Sequence, residues 1–257
     1  MGIAAGFASG LLGVGGGFLI VPLQLFLMES IGADPRVSML VALGTSLAII
    51  IPTSISGAYR HSKSTDNMVK PGIKLGVFGI IGGIIGGQLA NIMPTDILET
   101  LFGLFILFIA IYNIVTINNE KSEAKVKFNL VNAGIIGVSI GILSGLLGVG
   151  GGVFLIVALT AILGFKMADA VGISSVFISL TAVGGITSYI ISGWGVNPFP
   201  YSIGYVNLIN FFFIAIFSVP LAYFGANVSH KLSNKRLKQI FSIILIYIGL
   251  RMLGILP

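Results

Sequence analysis

Nine residues near the start of the chain, Ser9–Gly17, read SGLLGVGGG, and Ser144–Gly152 read SGLLGVGGG again, identical and 135 residues later. Each copy interrupts an apolar stretch with a run of glycines. A chain that repeats such an interruption once per half is built from two copies of one structural unit. Where the flanking sequence is hydrophobic enough to sit in a bilayer, paired glycine-broken segments at matching positions point to a binding site at the membrane midplane.

Composition supplies that condition. Of 257 residues, 56% are hydrophobic and 9% charged, and the mean hydropathy is +1.07. Soluble domains carry about 25% charged residues, so this chain cannot cover itself with a water-facing surface. Apolar runs of about 20 residues, each able to cross a hydrocarbon core of about 30 Å, recur along it. They are continuously apolar rather than alternating, which favours helices over a β-barrel. The expected fold is an all-α polytopic membrane protein.

Six segments read as full spans: 36–59, 70–92, 96–117, 167–192, 203–228 and 235–256. Two further apolar regions, 2–28 and 129–164, hold the glycine breaks. If each broken region returns to the side it entered, twelve of the fourteen Lys and Arg residues fall on one face, and only Arg36 and Arg251 on the other. If each crosses once, the split is eight to six. Cytoplasmic loops concentrate Lys and Arg, so the returning hairpin is preferred.

Each half is then one glycine-broken hairpin plus three transmembrane helices. Residues 1–117 form the first repeat, 118–128 a cytoplasmic linker and 129–257 the second repeat. Three crossings per half invert the second half relative to the first. Both termini are expected outside a cell membrane, with loops 60–70, 118–128 and 229–238 in the cytoplasm. The halves align further: Val41–Leu47 (VALGTSL) matches Asp169–Ser175 (DAVGISS), and the third spans align loosely near Gly87 and Gly225.

Unwound glycines cannot face lipid, so Gly13, Gly15, Gly16 and Gly17, with Gly148, Gly150, Gly151 and Gly152, must be buried or line a polar cavity. Glycine permits positive φ and bares the backbone N–H groups. The helix restarting after each turn presents unpaired N–H groups and a partial positive charge. Two such ends near the midplane would hold an anion without a basic side chain. Close packing alone would explain GxxxG, but it does not call for GxGGG twice at equivalent positions.

Hydroxyls accompany the turns: Ser9 and Ser144 before them, Thr45, Ser46, Ser174 and Ser175 in the following spans. Neutral donors suit an oxyanion that must be bound and released. Such hydroxyls also bond their own helix backbone or pack between helices, so the pattern alone leaves both roles open. Gln24, Gln88, Asn91, Asn113, Asn207, Asn210 and Asn227 are polar and at or near membrane depth, without a ranking among them. The glycine ridge Gly72, Gly76, Gly79, Gly83 and Gly87 reads as helix packing.

Absences narrow the function. The chain has no cysteine, which excludes disulfides and thiol chemistry. No Lys-Ser or Lys-Thr follows GLLGVGGG, so it is not a phosphate loop. No buried carboxylate offers a proton relay or sodium ligand, and no Ser/His/Asp arrangement lies at membrane depth. No catalytic residue, metal or cofactor is expected. The expected partners are a small anionic substrate and the lipid bilayer, with no nucleic acid; a homodimer is left open.

The doubled GLLGVGGG, the GTS and GIS segments that follow, and the length together resemble the TauE/SafE family of membrane transporters, over essentially the whole chain. The resemblance implies export of sulfur-containing anions such as sulfite or sulfoacetate, with the family motif on Ser9–Gly17 and Ser144–Gly152. An anion channel with the same filter is the alternative.

Overall fold

The computed structural model describes residues 1–12, 15–62, 68–115, 128–196, 198–229 and 234–256. Among them the first half forms α1 (Gly2–Leu12), α2 (Gly17–Ser30), α3 (Pro35–Ser62), α4 (Val69–Ile92) and α5 (Thr95–Val115). The second forms α6 (Leu130–Leu147), α7 (Gly152–Val157) running into a π-helical turn (Ala158–Ile162), α8 (Met167–Ser192), α9 (Leu208–Ser229) and α10 (Asn234–Met252). The protein is an all-α polytopic membrane protein.

Six helices are long and apolar enough to cross a membrane: α3, α4, α5, α6, α8 and α9. Five coincide with spans expected from sequence. The sixth is α6, the first arm of the second broken region, whereas α10 carries Lys235, Arg236, Lys238 and Arg251 in its sequence. Large apolar side chains point outward all round, among them Ile81 and Ile85 of α4, Leu104 and Phe108 of α5, and Phe212, Phe213 and Ile216 of α9. Such a surface is stable only against lipid.

Two departures from the sequence reading are local. The span expected from residue 203 begins as a helix only at Leu208, because Ser202–Ile203 pairs antiparallel with Val206–Asn207 across a turn holding Gly204 at φ 57°. A positive φ there cannot continue a right-handed helix. The second is the π turn after α7, one to two turns beyond the glycines. In α2, Pro22 breaks the helical ladder at nearly the matching place, since proline lacks an N–H.

The most extensive helix pairings all cross between halves, and they come in matching sets. α1 packs on α9 as α6 packs on α4; α3 packs on α9 as α8 packs on α4; α3 meets α8, and α5 meets α10. Small residues make the approach possible. Gly2, Gly6 and Gly10 of α1 lie against the backbone of Ile214, Ser218 and Ala222. Gly137, Gly141 and Gly145 of α6 lie against Leu75, Gly79 and Gly83 in the same manner.

This packing resolves the register of the third spans. Gly225 faces Phe7 and Leu11, and Gly86 faces their counterparts Ile142 and Leu146. The equivalent of Gly225 is therefore Gly86, one residue from the alignment near Gly87. Gly87 instead faces Ser188 of α8, a different surface of the same helix.

A Cβ at Gly141 would lie 2.6 Å from the Gly79 carbonyl oxygen, whereas one at Gly134 would sit 3.6 Å from the Phe78 ring. Overpacking a tight contact typically costs about 1–3 kcal/mol, occasionally more. Gly141→Val should lower the unfolding temperature of detergent-purified protein sharply or abolish its folding, while Gly134→Ala leaves it unchanged. Equal tolerance of both would contradict the close α4–α6 approach.

Candidate functional site: two glycine turns in contact

The repeated nonapeptides fold alike. Gly15 and Gly16 have φ of 84° and 75°; Gly150 and Gly151 have 82° and 72°. A side chain in this left-handed region costs roughly 1–2 kcal/mol, which is why glycine occupies all four positions. Gly16 and Gly151 then act as N-caps, with ψ of −6° and 6°, for α2 and α7. Gly148 ends α6 at φ 63°; its counterpart Gly13 lies outside the described residues.

The two turns touch. A Cβ at Gly17 would lie 2.8 Å from both the Gly148 carbonyl oxygen and Val149 Cα, and one at Gly15 would lie 3.5 Å from the Val149 oxygen. Every described residue of both turns is buried. Ile50 of α3 and Ile178 of α8 close over the pair. The Cγ2 of Ile178 lies 3.2 Å from a Cβ position at Gly15 and 2.6 Å from that at Gly150; for Ile50 Cγ2 the distances are 3.4 and 3.5 Å.

Each restarting helix lacks a side-chain cap. Leu19 and Ile20 N–H donate to the Gly16 oxygen at 3.1 and 3.2 Å, and Leu155 N–H to Gly151 at 3.1 Å. The amides of Gly17 and Gly152 precede these first closures, at the positive end of the helix dipole. No Lys or Arg occurs in residues 1–35 or 128–165.

All six hydroxyl residues singled out in the sequence are buried, and they divide between neighbourhoods. Ser9 lies across from Gly16 and Ser144 across from Gly151, each within its own hairpin. The Ser144 hydroxyl is buried without a hydrogen-bond partner. Ser46 donates to the Gly148 oxygen at 2.8 Å, and Ser174 to the Gly152 oxygen at 3.2 Å. Ser175 bonds Val171 in its own helix at 3.0 Å. Thr45 points elsewhere, accepting from the Asn207 amide at 2.9 Å.

Sequence reading missed Ile50 and Ile178, which look like ordinary span residues. The signal was available: the alignment of VALGTSL with DAVGISS, carried a few residues further, pairs Ile50 with Ile178 and Thr53 with Thr181. Gln24, Asn207 and Asn210 were named but unranked, and the structure joins them by hydrogen bonds.

Apolar helices facing lipid around a buried, charge-free meeting of two broken helices define a polytopic membrane protein of transporter type. Residues 1–252 match the family described as Sulfite exporter TauE/SafE, and the chain belongs to that family. A probable membrane transporter protein of Methanocaldococcus jannaschii is 33% identical over 98% of this chain and 93% of its own length. One from Haemophilus influenzae is 33% identical over 98% and 95%. A third, YunE of Bacillus subtilis, is 28% identical over 98% and 95%. These relatives are named as membrane transporters, not enzymes. No solved structure matches the chain.

Proposed function

We propose that the protein exports small sulfur-containing anions, such as sulfite or sulfoacetate, through a central site formed by the two glycine turns. The observation that carries this reading is the direct contact of two turns with matched backbone, each opening an uncapped helix. The amides of Gly15–Gly17 and Gly150–Gly152 would hold the anion, aided by Ser9, Ser46, Ser144 and Ser174. The unpartnered Ser144 hydroxyl supports this assignment, since a buried donor without an acceptor costs about 1–3 kcal/mol unless a ligand answers it. Neutral donors bind an oxyanion without trapping it.

The Ile50 and Ile178 methyls seal the turns from water, which favours an alternating gate over a permanently open channel. On this reading the halves form an inverted repeat, the hairpins return to their own side, and both termini lie outside. An anion leaving a cell negative inside moves downhill by roughly 2.3 kcal/mol per charge at 100 mV. Export in that direction requires no coupling ion.

Two substitutions test the site. Gly15→Ala adds a methyl 3.2 Å from Ile178 at positive φ, and Ser144→Ala removes the unpartnered hydroxyl. Both should fold and bind sulfite about tenfold more weakly by calorimetry, with Ser144→Ala at least as heat-stable as the parent. Unchanged affinity in both would return the turns to a packing role.

Topology is tested separately. Ser64, Ser122 and Ser233 lie outside the described residues. Cysteines placed there one at a time should all resist an impermeant thiol reagent added to intact cells. Labelling of one, with the others protected, would contradict the returning hairpins.

A further inference from the structure

Beside the turns lies a polar cluster with no equivalent in the other half. The Asn210 side-chain amide, in the first turn of α9, donates to Gln24 Oε1 of α2 at 3.3 Å. Asn207 Oδ1 accepts from the Asn210 backbone N–H at 2.9 Å, and the Asn207 backbone N–H donates to Thr45 Oγ1 at 2.9 Å. Asn207 Nδ2 is held by the Pro200 oxygen and Ser202 Oγ at 3.1 and 3.2 Å. Gln24 of α2, Asn210 of α9, Asn207 of the strand before it and Thr45 of α3 are thus linked in one chain, through side chains and two backbone amides. It adjoins the turns through α3, because Ser46, next to Thr45, bonds the Gly148 carbonyl.

Two donors in this chain have no acceptor. Gln24 is only 1% exposed, yet its Nε2 has no hydrogen-bond partner. With Oε1 fixed by Asn210, that NH2 group is presented beside the start of α9. Thr45 is fully buried, and its oxygen is occupied as an acceptor from Asn207. Thr53, two turns along α3, donates its hydroxyl to Ile49 at 2.7 Å; among the described residues Thr45 makes no such bond, and its proton remains to be given. Among the described residues six buried side-chain polar atoms lack a partner, and Gln24 Nε2 is the one amide among them; a buried NH2 without an acceptor is costly and asks for an acceptor-rich ligand.

The symmetry-related positions sharpen the point. The register of the packed halves pairs Asn207 with Met68 and Asn210 with Pro71, and the aligned spans pair Thr45 with Ile173; carrying the turn alignment forward places Gln24 at the π turn Ala158–Ile162. Ile173, Met68 and Pro71 are apolar, and Ile173 and Met68 are buried. The polar cluster is therefore present in one half and replaced by apolar residues at these positions of the other. The turns themselves are duplicated; the cluster is not.

We propose that Gln24 and Thr45 form a second binding station for a small oxyanion, one step from the glycine turns, with Asn210 positioning the Gln24 amide and Asn207 holding Thr45 against α9. The station makes a duplicated path asymmetric, since these donors have no counterpart at Ile173, Met68 and Pro71. This inference rests on the anion-binding reading of the turns, and it adds residues that reading does not require.

Calorimetric titration of the purified full-length protein with sulfite, thiosulfate and acetate tests it, alongside unfolding temperatures. Gln24→Leu deletes the unanswered NH2. It should leave the protein folded, with at most a modest drop in unfolding temperature because Asn210 loses its acceptor, while weakening sulfite binding ten- to a hundredfold, as expected for a hydrogen bond to a charged partner. Gln24→Met serves if the leucine variant fails to fold. Asn210→Ala should weaken binding in the parent but not further in Gln24→Leu, the signature of a residue acting through another.

A folded Gln24 variant with parental affinity, while Ser144→Ala still loses binding, overturns the second station and leaves the central site standing. Fully additive losses from Gln24→Leu and Asn210→Ala overturn the positioning role. Absence of binding by the parent to all three anions removes both readings together.

Discussion

Backbone that is not helical cannot meet lipid, because each unpaired N–H or C=O in hydrocarbon costs several kcal/mol. This constraint organises the molecule. The glycine turns break two helices, and the surrounding helices bury every described residue of them. α3 and α8 supply Ile50 and Ile178 as covers and Ser46 and Ser174 as carbonyl partners. α9 and α4 grip the outer faces of α1 and α6 through glycine contacts so close that no Cβ would fit. The broken helices are thereby buried by partners from the opposite half, α1 on α9 and α6 on α4.

The same constraint made much of the fold legible in sequence. A long apolar run at a bilayer's length leaves one solution for the backbone, and the helices α3, α4, α5 and α8 fall within a few residues of their expected limits. The turns were legible because glycine at positive φ has no substitute of equal cost. Less was visible where several apolar arrangements are equally good. Gly86 and Gly87 are neighbours, and only the opposing surfaces, α6 for one and α8 for the other, distinguish their roles. The delayed start of α9 depends on a strand pairing that docks Tyr205 against Gly44, a contact across 161 residues of chain.

The candidate site was legible in its backbone and less so in its side chains. The hydroxyl pattern marked Thr45 and Ser46 together, yet adjacent positions on a helix point about 100° apart, and the two serve different neighbourhoods. Ser46 joins the turn and Thr45 joins the start of α9. Gln24 could not be ranked by sequence because its meaning lies in what it fails to bond. A buried amide with one end satisfied and the other empty is visible only once its surroundings are known.

The central claim is that an anion sits where two uncapped helix starts meet, held by amides and hydroxyls rather than by a cation. An experimental structure of the purified protein with selenite, a heavier analogue of sulfite, tests it directly. The account predicts anomalous or ligand density between Gly15–Gly17 and Gly150–Gly152, within hydrogen-bonding distance of both turns. Saturating selenite bound only elsewhere, with the two turns still packed against each other under Ile50 and Ile178, would contradict it.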